Sequence, residues 1–422
     1  MFKKGGVETD VNCYRPISLL SIFSKIQEKI VAANLKEFLT SNRILDNYQF
    51  GFQEAHATYH PMIHLLNRVG QSLNDKEFII GVFCDLTKAF DTVPIDTLLI
   101  KLSKYGVRNN SLKWFESYLT GRRQFVNVRN NDSSLLEVTC GVPQGSILGP
   151  ILFLIFFNDL RNATLLFLLL FADDTTLLAS GKNLNEVVEF VNVELQKISQ
   201  WFRANKMALH PQKTHFTVFY SKPDSINWNE INLIIDENEP GTQYPNPQLI
   251  KSLSYINHET EVPAVKFLGV YFDPALNFKY QISKTCNKLS KSLFILRKCR
   301  NLLSSKALKS LYYSTFHCHL VYGILIYTCT AESVLSQITS KQKAAIRVIN
   351  KSKYNDHTDP IFKAQKIMRF EDMRKYYSLQ FMHDFIHDRL PISFHGTWQS
   401  VAANNERYPL RNSSDFYINL NP

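Results

Sequence analysis

Leu165-Leu-Phe-Leu-Leu-Leu-Phe-Ala-Asp-Asp-Thr-Thr-Leu-Leu-Ala179 is the stretch on which the fold turns. Apolar Leu165 to Ala172 and Thr175 to Ala179 flank Asp173-Asp174, a pattern that reads as strand, turn, strand with two carboxylates at the tip. Upstream, Phe78 to Cys84 is an apolar, β-branched run closed by Asp85, which reads as a buried strand ending at a carboxylate. Between them stands the Gly-rich turn Gly141-Val-Pro-Gln-Gly145. Each signal alone is an ordinary turn. Carboxylates facing one surface beside a core, however, invite a cationic partner. Two Mg²⁺ ions about 3.5–4 Å apart, held by acidic ligands from separate strands, are the hard-ion arrangement that serves phosphoryl transfer.

The rest of the chain suits a polyanionic partner. It has 422 residues, with 48 Lys and Arg against 37 Asp and Glu, a formal net charge of +11. That length predicts two or three domains, and 45% hydrophobic with 20% charged residues excludes a disordered or fibrous chain. Nucleic acid is the first expected partner and an anionic membrane surface the second, with a bland basic surface as the competing account. Cysteines 13, 84, 140, 286, 299, 318 and 329 contain no C-x-x-C pair, which disfavours a zinc ribbon or disulfide framework and fits a reducing compartment. His317-Cys318-His319 lacks a second cluster at ligand spacing and reads as core packing.

A membrane span is not expected. The apolar runs Ile151 to Phe157 and Leu165 to Ala172 are separated by Asn158, Asp159, Arg161 and Asn162, and neither nears the ~20 residues a spanning helix needs. Two buried elements joined by a polar turn fit better. No signal peptide follows Met1, so the chain reads as soluble and intracellular, in nucleus or cytoplasm.

Periodicity places the other elements. Ser21 to Leu39 reads as a helix, as do Ile95 to Tyr105 between Pro94 and Gly106, and Ser111 to Leu119 before Gly121. Arg122 to Val128 alternates like an exposed strand. Asn185 is expected to cap a helix carrying Val187, Val188, Val191, Leu195, Ile198 and Phe202. Prolines 223, 240, 245, 247 and 263 mark a loop-rich insertion over 223–263, and Val265 to Phe272 reads as a further strand. From Tyr280 a helix carries Ile282, Cys286, Leu289, Leu293 and Leu296 on one stripe. Around it stand Lys284, Lys288, Lys291, Arg297, Lys298 and Arg300, either a solvated face or a phosphate-facing one.

Asp85-Leu-Thr-Lys-Ala-Phe-Asp91, Gly141-Val-Pro-Gln-Gly-Ser-Ile-Leu-Gly-Pro150 and Phe171-Ala-Asp-Asp-Thr175, in that order, resemble the reverse transcriptases of non-LTR retrotransposons of the LINE or jockey-like kind. Tyr14-Arg-Pro-Ile-Ser-Leu-Leu20 and Phe50-Gly-Phe52 resemble that family's fingers blocks, Lys213-Thr214 its later palm lysine motif, and Phe267-Leu-Gly-Val270 its primer grip. The resemblance implies an α+β right hand, its palm a mostly antiparallel sheet. Fingers and palm would span 1–274, a helical thumb 275–330, and a basic helical region 331–422.

By the same resemblance, Asp85, Asp173 and Asp174 would be catalytic and hold two Mg²⁺ ions, with Mn²⁺ able to replace them. Lys213 would protonate pyrophosphate or bind phosphate. Phe90, five residues after Asp85, would exclude a ribose 2′-OH and favour deoxynucleotides. Gln144 and Gly145 would line the nucleotide pocket, Arg15 and Lys25 would reach the triphosphate, and the cations after residue 279 would bind the template–primer. The implied activity is RNA-directed DNA polymerase, a nucleotidyltransferase, with an RNA template, a DNA primer and dNTPs as partners and the oligomeric state open. A reverse transcriptase of the intron-maturase lineage and a decayed, non-catalytic nucleic-acid-binding remnant are the alternatives.

The chain departs from the pattern in places. Gln53 stands where the family usually carries an Arg, which implies weaker nucleotide affinity, and His210 follows Leu209 where Asn is common. Phe2-Lys-Lys-Gly5 resembles the middle of the first polymerase block, so the family's upstream endonuclease is expected to be missing, as is its C-terminal zinc knuckle.

Overall fold

The computed structural model describes residues 14, 16–128, 131–210, 212–221, 231–236, 246, 250–256 and 260–398. Arg15, the segment 2–5 and prolines 223, 240, 245 and 247 lie outside the described residues, as does everything from 399.

The elements that matter for the site follow along the chain as α1 (Ile22–Ser41), α2 (Tyr59–Asn74), β1 (Phe78–Cys84), α3 (Ile95–Lys104), α4 (Asn109–Leu119), α5 (Leu148–Phe157), β2 (Phe167–Phe171) and β3 (Asp174–Gly181). They continue as α6 (Leu184–Ala204), β4 (His215–Phe219), β5 (Ser254–Tyr255), α7 (Lys279–Cys299), α8 (Glu332–Ile349) and α9 (Phe370–Ile386). The main sheet has five strands in the order β5-β4-β1-β3-β2. Helix and sheet mix as an α+β chain should.

Local chemistry explains where these elements start. Ser21 caps α1, its hydroxyl accepting the Ser24 N–H at 3.1 Å. Strand β1 occupies the apolar run read from the sequence, with Ile79 and Ile80 fully buried. The cap of α6 is Asn183 rather than Asn185: the Asn183 side chain accepts the Asn185 N–H at 3.1 Å. Two asparagines in one turn compete for the cap, and the one whose backbone is extended takes it. Arg122 to Val128 is not one strand. Arg123–Gln124 pairs with Leu136–Glu137, and Asn127–Val128 with Asn131–Asp132, as two short exposed ladders. Val265 to Phe272 likewise folds back as a hairpin, Val265–Phe267 against Val270–Phe272, because Leu268 and Gly269 both take positive φ.

Two compact units divide the chain. The first comprises Met1–Glu54, Ile80–Phe216 and Ser225–Ser254, the second Ala55–Ile79, Thr217–Asp224 and Tyr255–Pro422. In the first, α5 is apolar throughout and all but one of its residues are buried, so it serves as a central core helix. Among the described residues no helix is long and apolar enough to cross a membrane. The polar turn after α5 is used structurally: Asp159 accepts the buried Lys101 ammonium at 2.7 Å, which also sits 4.3 Å from the Phe156 ring centre.

In the second unit, the stripe Ile282, Cys286, Leu289, Leu293 and Leu296 of α7 is buried, and the helix packs on α8. Helix α2 belongs to this unit. Its His64 ring lies 4.0 Å from Phe394 and is 3.0 Å from the Ser393 hydroxyl, and His60 Nδ1 accepts the Ala57 N–H at 3.0 Å. His60 and His64 are 2% and 6% exposed. Burial, and then the charges of His56 and His64, push the His60 ring down to about 3, while burial pushes His64 down to about 4. Both stay neutral when folded but protonate near 6.5 when unfolded. Their stabilising contribution is therefore complete above pH 6.5 and falls as pH falls toward their folded values. Each ring accounts for roughly 1.4 kcal/mol per pH unit in that window. Denaturant unfolding followed from pH 7.5 to 5.0 is expected to show that decline; a flat profile contradicts it.

Candidate active site

Asp85 follows the last residue of β1, and three backbone-level ties hold it there. Its N–H donates to the buried Thr214 hydroxyl at 3.2 Å, its carbonyl accepts the His210 N–H at 2.8 Å, and Leu86 bridges Leu209. His210 then accepts the N–H groups of Lys213 and Thr214 through its own carbonyl, both at 2.9 Å. The departure at His210 is thus a backbone junction, which any residue except proline can make. The junction delivers the Lys213 ammonium to 3.5 Å from Asp85 Oδ2. Thr214 went unnoticed in the sequence as a support for Asp85, because only the pairing of distant segments makes it one.

Strands β2 and β3 pair antiparallel from Phe167 opposite Leu178 to Phe171 opposite Asp174. The turn is therefore Ala172-Asp173, and Asp174 is the first residue of β3 rather than part of the tip. A two-residue hairpin of right-handed strands requires positive φ at its first central position. Ala172 supplies it at +58°, where a Cβ costs about 1–2 kcal/mol.

Asp174 feels both of the other carboxylates. Partial desolvation, then the charge of Asp173, then that of Asp85, raise the Asp174 carboxyl to about 6. Three like charges held near one another favour a cation, and an all-carboxylate donor set suits a hard divalent ion. The fit is one of donor chemistry and not of a closed cage, since among the described residues no three His, Cys, Asp or Glu side chains already stand at metal-ligand spacing.

A second group surrounds Phe90. Its ring stacks on buried Phe153 at 4.4 Å and meets Phe52 edge-on at 6.0 Å. The Gly141–Gly145 loop is zipped to this segment by Val142 N–H to Phe90 O at 2.9 Å and Gly141 N–H to Val93 O at 2.8 Å. Gly141 has φ +89°, and a Cβ there would lie 2.8 Å from Asp91 O. Gln144 donates its side-chain amide to Asp91 Oδ1 at 3.0 Å and accepts the Ser18 N–H at 2.8 Å. Asp91 is a residue the sequence left without a role; burial raises its carboxyl, opposed by the Gln144 bond and by Lys88. Gly145, at φ +101°, passes close to Ser18, where a Cβ would meet the Ser18 carbonyl at 3.3 Å. Glu28 is another such residue. Only 1% exposed, it accepts the Ile147 N–H at 2.7 Å and the Tyr118 hydroxyl at 3.1 Å, so α1 holds the end of the loop.

The remaining expected positions among the described residues lie on α1 and at α7. Lys25 is exposed on α1. In the second unit Lys288, Lys291, Arg297 and Lys298 are exposed on α7. Lys284 lies over the Tyr280 ring at 4.8 Å and Lys298 over Phe294 at 5.6 Å, whereas Arg300 donates to the Ser352 carbonyl at 3.0 Å. Gln53 turns its amide back onto the Gln49 carbonyl.

The family profile described as "Reverse transcriptase (RNA-dependent DNA polymerase)" matches residues 2–272. The chain belongs to the reverse transcriptase family. Its relatives point to the jockey-like kind that the motifs resemble. It is 30% identical to "Probable RNA-directed DNA polymerase from transposon BS" of Drosophila melanogaster, over 83% of this chain and 38% of that protein. It is 27% identical to "RNA-directed DNA polymerase from mobile element jockey" of the same species, over 88% of this chain and 39% of that protein. This reverse-transcriptase chain thus spans about two fifths of the length of those curated relatives. The structure of apo telomerase from Candida tropicalis aligns at a TM-score of 0.42 and 12% identity, over 81% of this chain and 51% of that one. With the family comes its right-hand α+β polymerase fold.

Proposed function

We propose that the chain is an RNA-directed DNA polymerase that extends a primer 3′-OH with dNTPs along an RNA template. The observation that carries this reading is the placement of Asp85 directly after β1 and of Asp173 and Asp174 at the β2–β3 hairpin, with the charges of Asp173 and Asp85 both bearing on Asp174. Two divalent ions, Mg²⁺ in the first instance, would supply charge neutralisation of the attacking and leaving oxygens. Those three side chains would hold the ions. Lys213 would neutralise Asp85 between substrates and turn to the leaving phosphate when one is present. Phe90 would close the pocket against a 2′-OH, with Gln144 and Gly145 forming the adjoining wall and Lys25 and Arg15 answering triphosphate charge.

The exposed cations of α7 would bind template–primer phosphates. Each phosphate neutralised adds about 0.9 to the salt slope of duplex affinity. Lys288→Ala combined with Lys291→Ala is therefore expected to weaken duplex binding several-fold and lower that slope by roughly 2 if both make such contacts. An unchanged slope, measured by fluorescence anisotropy from 50 to 250 mM salt, would remove α7 from the interface.

The direct test of the function is extension of a labelled primer on an RNA template by the purified protein with Mg²⁺ and dNTPs. Template-dependent product supports the reading. Duplex binding without extension favours the non-catalytic remnant instead.

A further inference from the structure

The strap Gln49-Phe50-Gly51-Phe52 touches both groups of the site. Phe50 N–H donates to Leu170 O at 2.8 Å and Leu170 N–H to Tyr48 O at 2.9 Å, so the strap runs beside β2 as a parallel bridge at Gln49 and Leu170. Gly51 lies so close to the hairpin turn that a Cβ on it would fall 2.2 Å from the Ala172 nitrogen. Phe52 then reaches the Phe90 ring.

At the centre of this strap is a buried amide. Gln49, 3% exposed, accepts the Ala172 N–H at 2.9 Å and the Gly51 N–H at 2.8 Å through Oε1, and donates Nε2 to the Ala172 carbonyl at 3.4 Å. A single side chain thereby satisfies both backbone polar groups of Ala172, the residue held at φ +58° immediately before Asp173. A strained turn of this kind persists only where its surroundings over-determine it. Gln53 adds a second layer by bonding the Gln49 carbonyl. An apolar residue of similar size would fill the volume equally well and leave the Ala172 amide without a protein partner.

We infer that Gln49 is a positioning residue, which acts through the Ala172 backbone to hold the β2–β3 turn and so aims the Asp173 carboxylate at the metal-binding face. The inference rests on the polymerase reading for the role of Asp173. It does not rest on it for the clamp itself. The Ala172 N–H belongs to the peptide before that residue and its carbonyl to the peptide leading into Asp173, so bonding both restrains the Ala172 φ and ψ, and the Asp173 side chain that follows moves with them.

The test compares wild type, Gln49→Leu, Gln49→Asn and the double variant Gln49→Leu/Ala172→Gly. Two readouts are used: Mn²⁺ binding by EPR without nucleotide, and steady-state primer extension. The clamp predicts Mn²⁺ affinity lowered about fivefold or more and kcat lowered about twentyfold or more in Gln49→Leu, with the dNTP KM and duplex Kd within twofold. Glycine takes positive φ without strain, so the double variant is expected to recover part of both losses. Mn²⁺ affinity and kcat within twofold of wild type in a folded Gln49→Leu protein overturn the inference. So does loss of the native near-UV circular dichroism in both single variants, which would make the amide a general requirement of the fold. If wild type does not extend primers yet Mn²⁺ binding still depends on Gln49, the polymerase reading fails and the clamp stands. If wild type extends and Gln49→Leu is unchanged, the clamp alone fails.

Discussion

Asp173→Asn is expected to lower primer extension by at least about a thousandfold, a loss of about 4 kcal/mol of transition-state stabilisation. The substitution is nearly isosteric, so the hairpin and its pairing of Phe171 with Asp174 should persist. It exchanges a charged oxygen for an amide nitrogen, which cannot ligate a hard cation. Stability is expected to hold or rise slightly. After desolvation, Asp173 is the first charge that raises the Asp174 carboxyl, and its removal relieves that repulsion. Extension assays alongside thermal unfolding separate the two effects. Near-wild-type synthesis by the variant would remove Asp173 from the machinery.

Phe90→Val is expected to narrow the preference for dNTP over rNTP by roughly tenfold to a hundredfold in kcat/KM, the range set by about 1–3 kcal/mol for a hydroxyl that is no longer excluded or left unpaired. The ring is held by Phe153 on one side and Phe52 on the other, so its edge has little freedom to retreat. Valine cannot span that distance and opens the space a 2′-OH would occupy. Some stability is lost as well, because a stacked pair disappears from beside α5. The discriminating quantity is the ratio of the two nucleotide efficiencies on one template. A ratio unchanged from wild type would leave Phe90 as a core ring and nothing more.

Much of this chain is legible in its residues alone. Strand β1 appears over the residues the apolar run marks, because a buried central strand needs no alternation to be recognised. Ser21 announces α1 by its hydroxyl, and the α7 stripe buries each residue that its spacing selects. Local competition blurred other points. Asn183 and Asn185 are equivalent as letters and differ only in backbone conformation, and Asp174 left the turn because pairing register, not composition, sets where a hairpin ends.

The site divides along the same line. Strand-ending Asp85, the paired Asp173-Asp174 and the Gly141–Gly145 loop carry chemistry written in residue type and local spacing, and those are properties of the sequence by itself. The supports could only come from the folded chain. Gln49 meets Ala172 across a separation of 123 residues, Asp85 meets Thr214 across 129, and Glu28 meets Ile147 across 119. A hydrogen bond of that kind has no period and no motif. It exists because burial removes water from a backbone amide and leaves whichever distant polar group is in reach to satisfy it.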